Sequence, residues 1–402
     1  MTAGRLRILF CSHAFPPGVS QRFPGVQSAP HAQQTHMGLA LARLADVSTV
    51  GWMHHKVWGH LEPRDNSIGL EHELLLWDLK PELWHRWRSW RRLRRFYLAK
   101  VEREGMPDVL LVPNILPVFN HFVCWLRRQP RRPLIALFLA DCEGLGRTDS
   151  WGRRLRYKLK PMQMLENDAV YLHDVCIALS VATRPYFEAR HIPWLWMPSA
   201  YNFSYKPPAP PVVSNGPIRF GYFGGLSENS ATAQMVRAFF NSGVPGSLRV
   251  CGFGKSTEQL KEIAKTHPNF HFDGLLAPED CLAWAQNVDV LINPRLPVWA
   301  NSFSSKIFQY GITGKAILST RIGGVDEVVG ENGIYFDAND LENSLCQKLT
   351  EVAGMDREEL QRRGAAIRER MLREFNWDTQ AARMIDFLKT ASQAHREGQK
   401  NS

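Results

Sequence analysis

The stretch from Val288 to Asp337 constrains the fold of this chain more than any other part of the sequence. It opens with a short apolar run, Val288–Asn293, which ends in Asn-Pro and predicts a buried parallel strand with its exit loop. A second run, Ala316–Thr320, predicts the next strand, and Gly323-Gly324 opens a turn behind it. Two buried strands separated by a helical segment form a βαβ unit, so this stretch predicts an α/β fold.

Between these two strands lies a polar loop, Asn301–Ser305, that leads into a helix. Ser304 is a favourable N-cap residue, the predicted helix begins at Lys306, and Gly314 ends it. At such a junction, free backbone N–H groups and the positive end of the helix dipole converge. Ligands of open α/β sheets bind at the C-terminal ends of the strands, so the sequence predicts an anion site here.

Short apolar runs alternate with helical stretches along the rest of the chain. In the first half the runs are Arg7–Cys11, Val47–Trp52, Glu73–Trp77, Val109–Pro113, Leu134–Asp141 and Val175–Ser180. In the second half they are Ile218–Phe223, Leu248–Gly254 and Phe270–Leu276. Helices are expected at about Thr35–Leu44, Asn229–Phe240, Glu279–Gln286 and Glu358–Glu374. This alternation predicts βαβ units and mostly parallel sheets.

The length of 402 residues suggests two domains of ordinary size. The Pro-rich segment Lys206–Pro217 has no apolar periodicity and predicts the linker between them. We therefore expect an N-terminal domain at 1–205, a hinge at 206–217, a C-terminal domain at 218–375 and a terminal helix at 376–402.

The net charge and the cysteine content limit which binding partners and which cellular compartment we expect. The net charge of +10 indicates an anionic partner, such as nucleotide phosphates, acidic lipid or nucleic acid. No apolar run approaches the ~20 residues of a spanning helix, and no signal-peptide pattern follows Met1. The seven cysteines are scattered, which predicts reduced thiols and a cytoplasmic protein. No Asp-x-Asp pair or His/Cys spacing indicates a metal ligand set, so no metal is expected.

A second feature is the Trp- and Arg-rich segment Leu83–Val101, which reads as one amphipathic helix. A further basic stretch, Arg147–Lys160, lies in the same domain. Tryptophan and arginine on a helix of this kind are typical of an interfacial helix on an anionic membrane. A core helix with a solvated basic face explains the pattern equally well. Basic-aromatic stretches also suit RNA, but no nucleic-acid motif accompanies them, so no nucleic acid is expected.

The order DVLINP…SSKIFQYGITGKAILST…GGVDEVVGENGIYF within residues 288–337 resembles the nucleotide-sugar half of retaining glycosyltransferases of the GT-B fold, in particular family four. The resemblance covers most of residues 217–390 and extends loosely over the first half. It implies two Rossmann-like domains facing a cleft, with a C-terminal helix that returns to the N-terminal domain. It also implies transfer of a sugar from a nucleotide-sugar donor to a hydroxyl of a glycan or lipid-linked acceptor. Retention of configuration, independence of metal and a peripheral position on the inner face of the cytoplasmic membrane follow from the same resemblance.

The resemblance also assigns candidate site residues. Donor-binding candidates are Gly224, Gly225, Gly254, Lys255, Leu276, Arg295, Ser304, Ser305, Lys306 and Gln309. Catalytic candidates are Asp141, Asn301 and Lys306. Asp141 would orient the acceptor hydroxyl or take its proton; the alternative is an Asp that caps a strand exit and has no role in the reaction.

The sequence departs from the family at the donor site. The Arg and Lys that usually follow the first glycine loop of the second domain are replaced by Gly225 and Ser227–Ser230. The two family glutamates fall on Asn301, which would face the sugar, and Gln309, which would hold the ribose. These losses keep two alternatives open. One is a non-catalytic or degenerate member that binds a nucleotide or a membrane. The other is a sugar-nucleotide epimerase or another GT-B enzyme such as a phosphorylase.

Overall fold

The structure is a computed structural model that describes residues 4–12, 28–51, 71–74, 83–115, 117–140, 145, 150–152, 155, 166–201, 216–226, 231–299 and 302–400. The chain divides into two compact units. The first comprises Met1–Met197 together with Trp377–Ser402, and the second comprises Pro198–Asn376. Most of the predicted hinge at 206–217 lies outside the described residues.

The first unit contains a seven-stranded sheet in the order β3-β2-β1-β4-β5-β6-β7. Its strands are β1 Arg7–Ser12, β2 Asp46–Gly51, β3 Glu71–Leu74, β4 Val109–Pro113, β5 Leu134–Leu139, β6 Val175–Ala178 and β7 Trp194–Trp196. Every adjacent pair is parallel. The three central strands β1, β4 and β5 are almost wholly buried, which explains why they are continuous apolar runs in the sequence.

Helices alternate with these strands. They are α1 Ser28–Leu44, α2 Leu83–Glu104, α3 Pro117–Leu126, α4 Glu166–Val170 and α5 Arg184–Glu188. The last helix of the chain, α13 Trp377–Lys400, also belongs to this unit and packs against α1 and β5. Its Met384, Ile385 and Leu388 are buried, and Arg383 donates to the Trp196 carbonyl over 3.1 Å. The predicted return of the terminal helix to the N-terminal domain is therefore confirmed.

The second unit repeats the same plan with a six-stranded parallel sheet in the order β10-β9-β8-β11-β12-β13. Its strands are β8 Arg219–Phe223, β9 Ser247–Cys251, β10 Phe270–Gly274, β11 Val290–Asn293, β12 Ala316–Thr320 and β13 Ile334–Phe336. Its helices are α6 Thr232–Ser242, α7 Thr257–Thr266, α8 Pro278–Trp284, α9 Lys306–Ile312, α10 Val325–Val329, α11 Leu341–Ala353 and α12 Arg357–Glu374. Both sheets contain the doubly wound 3-2-1-4-5-6 order, so the predicted pair of Rossmann-like domains is confirmed.

Several predicted boundaries are wrong. Helix α1 begins at Ser28 rather than near Thr35, because Pro30 in its first turn is compatible with helix initiation. Strand β3 covers Glu71–Leu74 rather than Glu73–Trp77. Helix α6 begins at Thr232 rather than Asn229, since Ala231 before it has a left-handed φ of 47°.

The Trp- and Arg-rich segment forms helix α2, which extends beyond Val101 to Glu104. Leu93 and Tyr97 are buried against α3, as the predicted apolar face requires. The helical periodicity also assigns Leu98 to the apolar face, but Leu98 is 45% exposed, so that assignment is wrong. Trp84 and Trp87 lie among the side chains that the structure does not describe.

Candidate functional site

The strand order places a topological switch point between β8 and β11 in the second unit. These strands are neighbours, yet β9 follows β8 on one side and β12 follows β11 on the other. In open α/β sheets, ligands bind beyond the C-terminal ends of the two strands at such a point. Gly224 follows β8 directly, and Asn293 ends β11. The predicted site residues therefore flank the position that the topology favours.

Lys306, the first residue of α9, reaches across to the end of β8. Its Nζ donates to the Tyr222 hydroxyl over 2.7 Å and lies 4.3 Å from the centre of the Tyr222 ring. The Tyr222 hydroxyl in turn donates to the Gly225 carbonyl over 2.7 Å. A side chain at Gly224, where φ is +143°, would place Cβ 3.2 Å from Lys306 Nζ. A side chain at this position would therefore crowd the amine, and the positive φ also favours glycine.

The electrostatics around Lys306 favour an anion. Burial, followed by the positive charge of Arg295, lowers the pKa of Lys306 to about 7. Within the described part of the chain, the amine is paired with a neutral hydroxyl rather than with a carboxylate. A ligand that brings negative charge would relieve both the burial cost and the repulsion between the two basic groups.

A buried network of polar side chains holds the loop before α9 in place. The Ser304 hydroxyl donates to Asn293 Oδ1 over 3.0 Å, and Asn293 Nδ2 donates to the Ser319 hydroxyl over 2.9 Å. All three side chains are buried. The network ties the loop to the ends of β11 and β12. The prediction that Ser304 caps the helix is wrong, because Asn293 competes for its hydroxyl and Ser305 precedes the first helical residue.

Helix α9 is attached to β8 by a second residue, Tyr310. Its hydroxyl donates to the Phe223 carbonyl over 2.9 Å and accepts from the Phe223 amide over 3.1 Å. Burial raises the pKa of Tyr310 well above its usual value, so the hydroxyl stays protonated. Lys306 and Tyr310 lie one helical turn apart, and both therefore face the end of β8.

The structure brings Gly224, Gly225, Lys306 and Arg295 together around this point. Of the remaining candidates, Gly254 pairs with Leu226 in a parallel bridge, Lys255 and Ser305 are exposed, and Leu276 and Gln309 are half-buried. Asp141 and Asn301 lie outside the described residues.

Sequence reasoning missed three residues that shape the site: Tyr222, Asn293 and Tyr310. Both tyrosines lie in apolar segments, where an aromatic residue is usually a core residue. Asn293 carried a usable signal, because a polar side chain at the end of a buried strand requires a hydrogen-bond partner.

The described residues contain neither a candidate metal cluster nor a candidate membrane-spanning helix. They include no group of three or more His, Cys, Asp or Glu side chains arranged to hold a metal ion. No described helix is both long enough and apolar enough to cross a membrane.

Residues 217–354, which contain this site, match the family model described as Glycosyl transferases group 1. This match lies within the second unit, which we therefore refer to as the glycosyltransferase domain. Lys306 and Arg295, two of the donor-binding candidates, both lie within the matched residues. No curated protein sequence matches the chain significantly.

Several solved structures are similar in fold to nearly the whole chain. The lipopolysaccharide outer core galactosyltransferase WaaB in its apo form has a TM-score of 0.64 and 11% identity over 96% of this chain and 99% of its own. Sucrose-phosphate synthase from Thermosynechococcus elongatus has a TM-score of 0.65 and 15% identity over 98% of this chain and 99% of its own. HepE from Anabaena, in complex with UDP, has a TM-score of 0.64 and 15% identity over 96% of this chain and 100% of its own. At these identities the similarity establishes the GT-B fold.

Proposed function

We propose that this chain is a glycosyltransferase that moves a sugar from a nucleotide-sugar donor to a hydroxyl acceptor. The observation that carries the proposal is the half-buried Lys306, whose amine lies against Gly224 at the switch point of a sheet that matches the group 1 glycosyltransferase model. The diphosphate of a nucleotide sugar supplies negative charge beside this amine. The bond between the anomeric carbon and the diphosphate breaks, the nucleoside diphosphate leaves, and the sugar forms a bond to the acceptor oxygen, whose proton passes to a base or to solvent.

In the proposed reaction, the charge that develops on the leaving diphosphate is stabilised by the chain itself. Lys306 and Arg295 provide the positive charge, and the backbone at Gly224 permits close approach. Such an arrangement can replace a bound cation, so we propose a metal-independent and retaining transferase. Gln309 would hold the ribose, Asn301 would face the sugar and Asp141 would orient the acceptor hydroxyl.

The similar structures suggest which donor to try first. HepE was solved with UDP, and a trehalose-6-phosphate protein from E. coli with UDP-2-fluoro glucose. The latter has a TM-score of 0.65 and 10% identity over 95% of this chain and 98% of its own. We therefore propose UDP as the first nucleotide to test.

The experiment that tests the proposal is calorimetric titration with UDP, GDP, ADP and dTDP, with and without magnesium. We expect one diphosphate to bind regardless of magnesium. Lys306→Ala should weaken that binding by roughly 1.5–3 kcal/mol, the value of a charged hydrogen bond. Donor turnover with an acceptor library then distinguishes a transferase from its alternatives. Binding without turnover would support a non-catalytic member, and release of free sugar without an acceptor would support an epimerase.

We also propose that the first unit docks on an anionic membrane that carries a lipid-linked acceptor, on its cytoplasmic face. The support is the surface of α2, where Arg91, Arg92, Arg94 and Arg95 are exposed. Trp151, in the second basic stretch, is 79% exposed. Arginine and tryptophan are the residues that bind headgroups and the membrane interface.

The membrane proposal is tested by sedimentation with anionic vesicles. Arg92→Glu combined with Arg95→Glu should abolish binding. The same charge change on the exposed Lys261 and Lys265 of α7 should have little effect. Unchanged binding by the α2 variant would contradict the proposal.

A further inference from the structure

A second cluster of basic side chains lies at the opposite edge of the glycosyltransferase domain's sheet from Lys306. Arg219 begins β8, and Lys315 directly precedes β12. Asp289 directly precedes β11, which lies between those two strands in the parallel sheet. All three residues are therefore at N-terminal strand ends. At about 3.3 Å per residue, the five residues of β8 separate this edge from the C-terminal edge by roughly 13 Å.

Three basic groups in this cluster surround one carboxylate. Arg219 donates to Asp289 twice, from Nη2 to Oδ1 over 2.9 Å and from Nε to Oδ2 over 3.2 Å. Arg357, the first residue of α12, places Nη1 3.2 Å from Asp289 Oδ2. Burial lowers the pKa of Lys315 and the charge of Arg219 lowers it further, against the opposing effect of Asp289. The cluster thus contains more basic groups than acidic ones.

Lys315 is the most enclosed of the three basic groups, with only 4% of the residue exposed. An ammonium has three N–H donors, and Lys315 Nζ donates to the Gln286 carbonyl over 3.3 Å. In the part of the chain that the structure describes, Lys315 Nζ has no hydrogen bond or ion pair with a carboxylate. A buried lysine is normally paired with an acidic group. This one therefore has unused capacity to donate to an anion.

Two further N–H groups nearby are buried without a hydrogen-bond partner among the described residues. One is Arg357 Nη1, which lies close to Asp289 but makes no hydrogen bond, while Nη2 of the same guanidinium donates to the Gly216 carbonyl. The other is Nε2 of Gln286, the residue whose carbonyl accepts from Lys315. Buried donors of this kind cost free energy unless a ligand or water accepts from them.

The backbone around Lys315 is closely packed. The Lys315 amide donates to the Thr313 hydroxyl over 3.3 Å. A Cβ at Gly364 of α12 would lie 2.8 Å from the Lys315 carbonyl carbon, so the helix that begins with Arg357 packs against this turn. The Arg219 side chain is 35% exposed, which leaves the cluster accessible from solvent. The basic groups are thus held in position before any ligand arrives, which reduces the cost of binding one.

We propose that Lys315, Arg357 and Arg219 form a second anion site, which binds the phosphate group of a small molecule. A phosphate oxygen only accepts hydrogen bonds, so it suits a group of N–H donors that lack acceptors. Arginine can bind it through two parallel hydrogen bonds, and lysine binds it as a point charge. Inorganic phosphate and the phosphate group of a phosphorylated metabolite share this chemistry. The inference goes beyond the proposed function and does not depend on it.

The test is calorimetric titration with inorganic phosphate at an ionic strength held constant with chloride. Lys306→Ala protein is used throughout, so that phosphate binding beside Lys306 does not contribute. This protein should still bind phosphate. Adding Lys315→Met should weaken the binding by roughly 10- to 150-fold, as expected for loss of one charged hydrogen bond. Arg357→Gln should have a similar effect. Lys261→Met, which removes a charge from the surface of α7, is the matched control and should change nothing.

Thermal unfolding distinguishes a ligand site from a purely structural lysine. In chloride, Lys315→Met should unfold at the same temperature as its parent or a higher one, because the substitution removes a buried and repelled charge. Phosphate should raise the unfolding temperature of the parent and not that of the variant. A variant that unfolds at a lower temperature, yet is stabilised by phosphate as much as its parent, would show that Lys315 serves the fold alone.

Glycerol 3-phosphate, titrated in the same way, distinguishes the two sources of the phosphate group. Tighter binding than that of inorganic phosphate assigns the site to a phosphorylated metabolite, and equal or weaker binding assigns it to free phosphate. Absence of phosphate binding in Lys306→Ala protein overturns the inference. Equal phosphate affinity after Lys315→Met and after Arg357→Gln overturns it as well. Failure of wild-type protein to bind any nucleotide would overturn the proposed function and leave this inference standing.

Discussion

At the residue scale, the properties of the donor site depend on one amine. Lys306 is half-buried near Arg295, and its hydrogen-bond partner is a neutral hydroxyl. Its pKa of about 7 means that the unliganded protein holds this group partly neutral near physiological pH. An anionic ligand favours the ammonium form and raises the pKa again. Binding of a diphosphate should therefore be coupled to uptake of a proton.

This coupling predicts a pH dependence with a definite sign. The ammonium is the form that binds, so affinity for the diphosphate should fall as pH rises above 7, by up to about tenfold per pH unit. Calorimetry near pH 8 in buffers of different ionisation enthalpy should show uptake of up to about one proton per ligand bound. An arginine in place of Lys306 stays positively charged at every pH between 7 and 9.

The Lys306→Arg variant serves as the control. The diphosphate itself titrates in the presence of either protein, so only the difference between the two pH profiles reports on Lys306. Its affinity should vary less with pH between 7 and 9 than that of the wild type. Identical pH profiles for the two proteins would show that Lys306 does not titrate on binding.

The strand pattern predicted an anion site at the loop before Lys306, and the family resemblance added Lys306 and Gly224 as donor-binding candidates. It did not identify Tyr222 as the partner of Lys306, since the two residues are far apart in the chain and meet only through the sheet order. Ser304 shows the same limit. Local pattern favoured a helix cap there, and a long-range hydrogen bond to Asn293 prevailed.

At the element scale, helix α12 lies unusually close to the turn that joins α9 to β12. A Cβ at Gly364 would be 2.1 Å from the Gly314 carbonyl oxygen, and one at Gly311 would be 2.5 Å from Met371 Cγ. Glycines on both sides of the contact therefore allow α12 to pack against α9. Because α9 begins with Lys306, this packing also holds the donor site in place.

Gly364→Ala should therefore destabilise the second unit by roughly 1–3 kcal/mol, because the clash is with backbone that cannot rotate away. It should also weaken UDP binding as α9 shifts. Gly398→Ala is the matched control, since nothing lies within 4 Å of its added methyl group in α13. That variant should be neutral or more stable by up to about 1 kcal/mol. Urea unfolding measures both changes, and equal stability of the two variants would contradict the packing argument.

Elements were predicted more reliably than their ends. The buried strands were evident because parallel strands covered on both faces are continuous apolar runs. Strand β7 was not predicted, because Trp194–Trp196 is short and only half-buried. The start of α6 was not predicted either, since its preceding residue Ala231 adopts a left-handed conformation that its residue type does not suggest.

At the scale of the whole molecule, the two units differ in how the chain forms them. The second unit is one continuous segment, Pro198–Asn376, whereas the first is completed by Trp377–Ser402. The candidate donor site, from Gly224 to Gln309, lies entirely within the continuous segment. Changes in α13 should therefore affect the stability of the first unit and leave nucleotide binding intact.

Met384→Ala tests this separation, because Met384 is fully buried in α13. The substitution should cost roughly 2–5 kcal/mol in the first unit, as for other buried large-to-small changes. Scanning calorimetry with and without UDP should show one transition lowered by the mutation and another raised by the ligand. Lys389→Ala, an exposed change on the same helix, should alter neither transition. Loss of UDP binding in Met384→Ala would show that the two units are not independent.

The division of the chain also fixes an order of events during synthesis on the ribosome. The surfaces of α1 and β5 that α13 covers are made early, while α13 itself emerges only after all of the second unit has been translated. The unit whose synthesis begins first is thus the last to be completed. Until α13 is synthesised, the nascent first unit exposes apolar surface, and a ribosome that stalls after Asn376 leaves a completed second unit attached to an incomplete first unit.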